Sequence, residues 1–131
     1  MSGPDYTRLI DAETWVYIAK LDAAYPPDAV EMSIEGQRRV YDDMCRIFRQ
    51  PRPEGVAVED RVFGGVSCRT YVSGDSPVTV VYYHGGGFVV GGLDSHDDIC
   101  AEICARTGYR VVSVDYGLAP ETVFPGCFQD A

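Results

Sequence analysis

The segment from Tyr82 to Gly92, YYHGGGFVVGG, sets one histidine and five glycines among large apolar and aromatic residues, directly after a strand-like run. Glycine loses more backbone entropy on folding than any other residue, so such a cluster marks a chain path or a close approach that a Cβ would forbid. A strand, a glycine loop and a helix in that order serve three recurring chemistries. Dinucleotide binding needs G-x-G-x-x-G with an acidic residue beyond the second strand. Asp115 stands where that acid would be, but Gly85 and Gly87 are followed by Val90 at the third position. A phosphate loop would pair Gly86 with Gly91, and Gly92-Leu93 then replaces the Lys-Ser/Thr that holds phosphate and metal. The third use is stabilisation of an oxyanion. Acyl transfer places negative charge on a former carbonyl oxygen, and consecutive glycines let backbone N–H groups turn toward it without side chains in the way. His84-Gly85-Gly86-Gly87 fits that use best.

These residues need elements to position them. Residues 8–24 place Leu9, Ile10, Trp15, Ile18 and Leu21 at helical spacings, and Tyr25-Pro26-Pro27 ends the run. A second amphipathic helix is expected over 33–48, closed by Pro51 and Pro53, so that PRPEG at 51–55 is the best boundary in the chain. Beyond it the period falls to near two. Residues 56–63 and 66–72 read as a hairpin around Gly64-Gly65. The run 78–83, VTVVYY, reads as a strand buried on both faces. A helix over 95–107 is expected to start on a Ser95/Asp98 capping box, carry Ile99, Cys100, Ile103 and Cys104 inward and stop at Gly108. Residues 110–114 form a further buried strand, which completes a βαβ unit.

Bulk properties exclude several classes of function. Asp and Glu outnumber Lys and Arg by 20 to 11, for a net charge of −9, which repels nucleic acid and anionic lipid. There is no apolar run of membrane-spanning length. The N-terminus has no signal-peptide pattern, so a cytoplasmic protein is expected. Five cysteines without metal-ligand spacing read as free thiols.

Across residues 84–131 several motifs stand in one order: His84-Gly85-Gly86-Gly87-Phe88, Asp94-Ser95-His96, Asp115-Tyr116 with Leu118-Ala119-Pro120-Glu121, and Phe124-Pro125 before a helix. In these the chain resembles the hormone-sensitive-lipase family of esterases. The resemblance implies an α/β fold, the N-terminal part of an α/β-hydrolase with a mixed, mostly parallel sheet and flanking helices. Residues 1–53 would be N-terminal helices belonging to a cap, and 54–131 the first half of the core, ending before the nucleophile elbow. It implies a serine carboxylesterase acting on short- to medium-chain esters, with the N–H groups of Gly86 and Gly87 as oxyanion donors, His84 bracing the loop and Phe88 lining the acyl pocket. Asp94, Ser95 and His96 would fix a helix start, and Asp115 and Glu121 would brace loops. No metal or organic cofactor is implied.

Two departures stand out. Gly117 replaces an arginine that the family carries between Tyr and Leu, from which a looser loop is expected. The chain has no G-x-S-x-G, and its only histidines are His84 and His96. A Ser/Asp/His triad must therefore come from a C-terminal half, in the same or a second chain, and these 131 residues alone are expected to be inactive. The strand at 110–114 would be left as an exposed edge, through which a homodimer could form. The alternative is a non-catalytic remnant or interaction module that pairs through such an open edge.

Overall fold

The computed structural model describes residues 5–131. Helix α1, Ala12–Ala24, begins after Asp11, whose side chain accepts from the Thr14 N–H at 2.7 Å. The start expected at residue 8 is thus late by one turn. Leu9 lies outside the helix and is exposed, because the Asp11 cap outcompetes apolar spacing as a start signal. Helix α2, Ile34–Phe48, is capped by Ser33, which accepts from the Gly36 N–H. The two helices meet where Tyr17 packs on Phe48 and Lys20 sits over the Phe48 ring. No residue of α1 is buried.

Strands β1, Ala57–Phe63, and β2, Val66–Val72, form the expected hairpin, with Phe63 opposite Val66 across Gly64-Gly65. Strand β3, Thr79–Tyr83, leads through the glycine loop to helix α3, Asp97–Thr107, and then to strand β4, Arg110–Val114. A short helix, α4, covers Gly126–Gln129. The sheet runs β1-β2-β4-β3, with β1 to β2 and β2 to β4 antiparallel and β3 to β4 parallel.

That order corrects two expectations. Strand β4 is not an edge but lies between β2 and β3; the edges of the sheet are β1 and β3. Nor is β3 buried on both faces: Thr79, Val81 and Tyr83 are exposed while Val80 and Tyr82 are half-buried. An unbroken apolar run records a capacity for burial on two faces, and here α3 covers only one. On that face Cys100, Ala101 and Cys104 pack fully buried against Tyr71 and Val111. Ile99 points outward instead. A second, smaller core gathers Cys68, Val114 and Tyr116 with Leu118 and Cys127 under the loop that follows β4.

Helix α3 starts two residues later than expected and without the capping box. Ser95 bonds the backbone of Gly92 instead, and Asp98 accepts from the Ile99 and Gln50 N–H groups. Asp97 is the buried residue at this start. Its carboxylate accepts from Arg52 at 2.7 and 2.9 Å, from Tyr71 Oη at 2.9 Å and from Arg69 at 3.1 Å. Burial pushes the Asp97 pKa up, but the bonds from Arg52, Tyr71 and Arg69 outweigh it, so the carboxyl titrates below its usual value. Arg69 also donates to Asp60 and Asp94. This ion cluster joins the hairpin, the 49–56 linker and α3, and so fixes where the glycine loop must end.

Candidate active site

The loop leaves β3 at His84, which is buried. Its Nδ1 lies 2.9 Å from the Gly85 carbonyl oxygen, which can only accept, so Nδ1 is the donor of that bond. Nε2 is buried with no hydrogen-bond partner among the described residues. Tyr116, from the end of β4, stacks on the imidazole with centroids 4.3 Å apart and donates its hydroxyl to the His84 carbonyl at 2.5 Å. Burial raises the Tyr116 pKa, which keeps that donor protonated. His96 packs against the other side of His84, at 5.7 Å between centroids. Burial, and then the neighbouring His84, lower the pKa of His96, so that it is neutral at pH 7.

Backbone geometry then takes an unusual turn. Gly86, Gly87 and Phe88 all have positive φ, at 134°, 60° and 63°. The first value is open essentially to glycine alone, and a Cβ on Gly86 would be driven into the Val90 carbonyl. Gly91 is held for a different reason: its Cβ would come within 2.7 Å of both the Gly85 oxygen and His84 Nδ1. Phe88 has no such freedom, and a left-handed aromatic residue is strained by about 1–3 kcal/mol. Strain of that kind persists only where the surroundings impose it. Here the Val89 and Val90 N–H groups both bond the Gly86 carbonyl at 3.1 Å, and the Phe88 carbonyl accepts from Ala119 at 2.8 Å.

The N–H groups of Gly86 and Gly87 make no hydrogen bond to another backbone group among the described residues. Both glycines line a cavity of about 380 Å³ whose walls are mostly apolar, with Tyr83, Phe88, Tyr116, Phe124 and Phe128 around them. Phe88 stands edge-on to Tyr116, with centroids 6.1 Å apart, and is largely exposed. The structure thus brings His84, Gly86, Gly87 and Phe88 to one concavity. Chemically it offers two unpaired donors beside an apolar hollow, an arrangement suited to a polar, electron-rich atom on an otherwise apolar ligand. No group of three or more His, Cys, Asp and Glu among the described residues is placed to hold a metal ion.

Residues 80–131 match the family model described as alpha/beta hydrolase fold. The fold is that of an α/β-hydrolase. Among solved structures, the hydrolase fold seen here is similar to an esterase of Pyrobaculum calidifontis, at 34% identity and a TM-score of 0.65, with 77% of this chain and 35% of that one covered. It is similar to a hormone-sensitive-lipase homologue from a metagenome library, at 28% identity and a TM-score of 0.72, over 92% of this chain and 39% of that one. An esterase of the bacterial hormone-sensitive lipase family matches at 27% identity and a TM-score of 0.70, over 86% and 39%. The resemblance read from the motifs therefore holds far beyond them, into the helices that precede the sheet. The chain spans less than half the length of these esterases.

Two residues of the site were not singled out from sequence. Tyr116 lies inside the Asp115-Tyr116 motif, which assigned it no role, and its signal was its place two residues beyond a buried strand. Arg38 had none. It sits on α2 and donates to the carbonyls of Val89 at 2.8 Å and Ala119 at 3.0 Å and to both carboxylate oxygens of Glu121 at 2.9 and 2.7 Å. Gly117, where a looser loop was expected, donates its N–H to Asp130, and Thr122 fills the space that a Cβ there would need.

Proposed function

We propose that these residues form the oxyanion-hole portion of a cytoplasmic serine carboxylic-ester hydrolase acting on esters with short- to medium-length acyl chains. The observation that carries the reading is the pair of unpaired N–H groups at Gly86 and Gly87 beside an apolar cavity. In this reading residues 1–53 contribute to a cap over the acyl pocket, and residues 54–131 form the first half of the core.

As a serine oxygen adds to the ester carbonyl carbon, the carbonyl π pair moves onto oxygen. The two donors meet the resulting negative charge at a distance the ground-state carbonyl does not reach. When the tetrahedral species collapses, the alcohol leaves with a proton from a histidine base and the donors release a neutral carbonyl. The serine, its base and the acid that orients the base lie outside these 131 residues. His84 serves the reaction by holding Gly85. Phe88 walls the acyl side of the cavity.

The test is hydrolysis of p-nitrophenyl butyrate by the polypeptide as the cell makes it. Gly86→Ala, whose methyl group must displace Val90, is expected to lower kcat by about 10²-fold, the usual effect of one lost donor. Gly87→Ala, with open space around its Cβ, should stay within about tenfold of the parent enzyme, since its N–H remains and only left-handed strain is added. Equal, small effects of both changes would remove the oxyanion role.

A second reading, an interaction module that pairs through its sheet edge, draws on the exposed Val81 and Tyr83 along β3.

A further inference from the structure

We propose that Arg38 on α2 is a positioning residue for the oxyanion loop, clamping the turn that presents Gly86 and Gly87 and so coupling the N-terminal helices to the transition state. This rests on the oxyanion reading given above. Three acceptors from two separate segments converge on one guanidinium: the Val89 carbonyl, the Ala119 carbonyl and the Glu121 carboxylate. Only a planar fork with several fixed donors can satisfy such a set at once; the single nitrogen of a lysine cannot.

The clamp acts where the loop has least freedom of its own to hold its shape. Glycines at 85, 86, 87, 91 and 92 leave the segment few side chains to pack, so its conformation depends largely on its carbonyls. Within the turn Gly86 O is taken by Val89 and Val90 N–H, Phe88 O by Ala119 N–H, and Val89 O by Arg38 Nε. Arg38 is the one partner in that set that comes from the helices before the sheet. Its side chain is about three-quarters buried, so the bonds to the two carbonyls are shielded from water. Glu121 locks the fork from outside, and the bond from Arg38 holds the Glu121 carboxyl down to about 2, so the pair remains ionised throughout the pH range of ester hydrolysis. A residue that touches no substrate can still govern rate, since misplacing a catalytic group by about 1 Å costs about 10²-fold.

The test uses the polypeptide as the cell makes it, with Arg38→Ala and Arg38→Lys. Arg38→Ala is expected to lower kcat for p-nitrophenyl butyrate by about 10- to 100-fold while KM changes by less than about threefold, because the acyl pocket is left in place. Amide hydrogen exchange across residues 86–90 should rise in the same variant. Arg38→Lys should show the same fall in kcat with native thermal stability, which keeps the question decidable if the alanine variant does not fold. A kcat within twofold of the parent, or a fall in kcat without faster exchange in 86–90, overturns the clamp. If the parent protein hydrolyses no ester, the functional reading fails separately, and exchange in 86–90 alone decides the clamp: unchanged exchange on losing Arg38 overturns it.

Discussion

Tyr116 shows how one side chain serves packing and chemistry together. Its ring fills the small core beside Cys68 and Val114, its face stacks on His84, and its hydroxyl satisfies the His84 carbonyl at the point where β3 gives way to the glycine loop. Removing that hydroxyl strands a buried acceptor, so Tyr116→Phe should cost about 1–3 kcal/mol of stability, measured by urea unfolding. Activity should fall with it, because the His84 carbonyl then loses its hydrogen bond at the start of the loop. Phe88 is the complementary case, a side chain whose left-handed backbone is imposed by the bonds at Gly86 and Ala119. At this scale much was legible: the glycines, the histidine and the aromatic each carried a chemical signal in their type. The positive φ of Phe88 carried none, since an aromatic residue is ordinarily evidence against that conformation.

Between elements, the Asp97 cluster does for α3 what a side-chain cap was expected to do. A carboxylate in the first turn also meets the positive end of the helix dipole. Asp97→Asn should destabilise the protein by about 1.5–3 kcal/mol at pH 7, toward the lower end because Arg52 is half-exposed and can turn to water. The pH dependence follows from the direction of the shift. The folded pKa of Asp97 lies below its unfolded value of about 3.9, so its contribution is complete above that value and disappears as pH falls through the lower, folded one. Urea midpoints compared at pH 7 and pH 3 should therefore drop in the parent and drop less in Asp97→Asn. The sequence suggested Ser95 and Asp98 as the helix start because their spacing is that of a capping box. The cluster that prevailed joins Asp97 to residues 26 to 45 positions away, which no local window contains.

On the scale of the whole molecule, one edge of the sheet is β3, with Val81 and Tyr83 exposed and a free row of backbone groups on its outer side. Such an edge pairs with whatever strand it meets. Purified alone, the 131-residue polypeptide should self-associate, and Val81→Lys should weaken that association by about tenfold or more, as like charges are brought together across the new contact. Sedimentation velocity at several concentrations reads this directly; an unchanged profile would place the contact elsewhere. The net charge of −9 opposes the association at long range, so added salt should strengthen it in the parent.

The amino-acid sequence by itself determined the local chemistry: two helices, of which α2 is the amphipathic one, a Gly-Gly hairpin, a βαβ unit and a His-Gly-Gly-Gly loop at the end of its first strand. Those features follow from period, turn residues and backbone freedom, which act over a few neighbouring residues. Only the tertiary structure decided that β4 is central and β3 an edge, that Asp97 rather than a capping box starts α3, and that Arg38 reaches 51 and 83 positions along the chain to Val89 and Glu121. Each of these is a choice among distant partners. It is settled by which buried polar groups can be satisfied together once the chain has closed on itself, a condition that no stretch of sequence states alone.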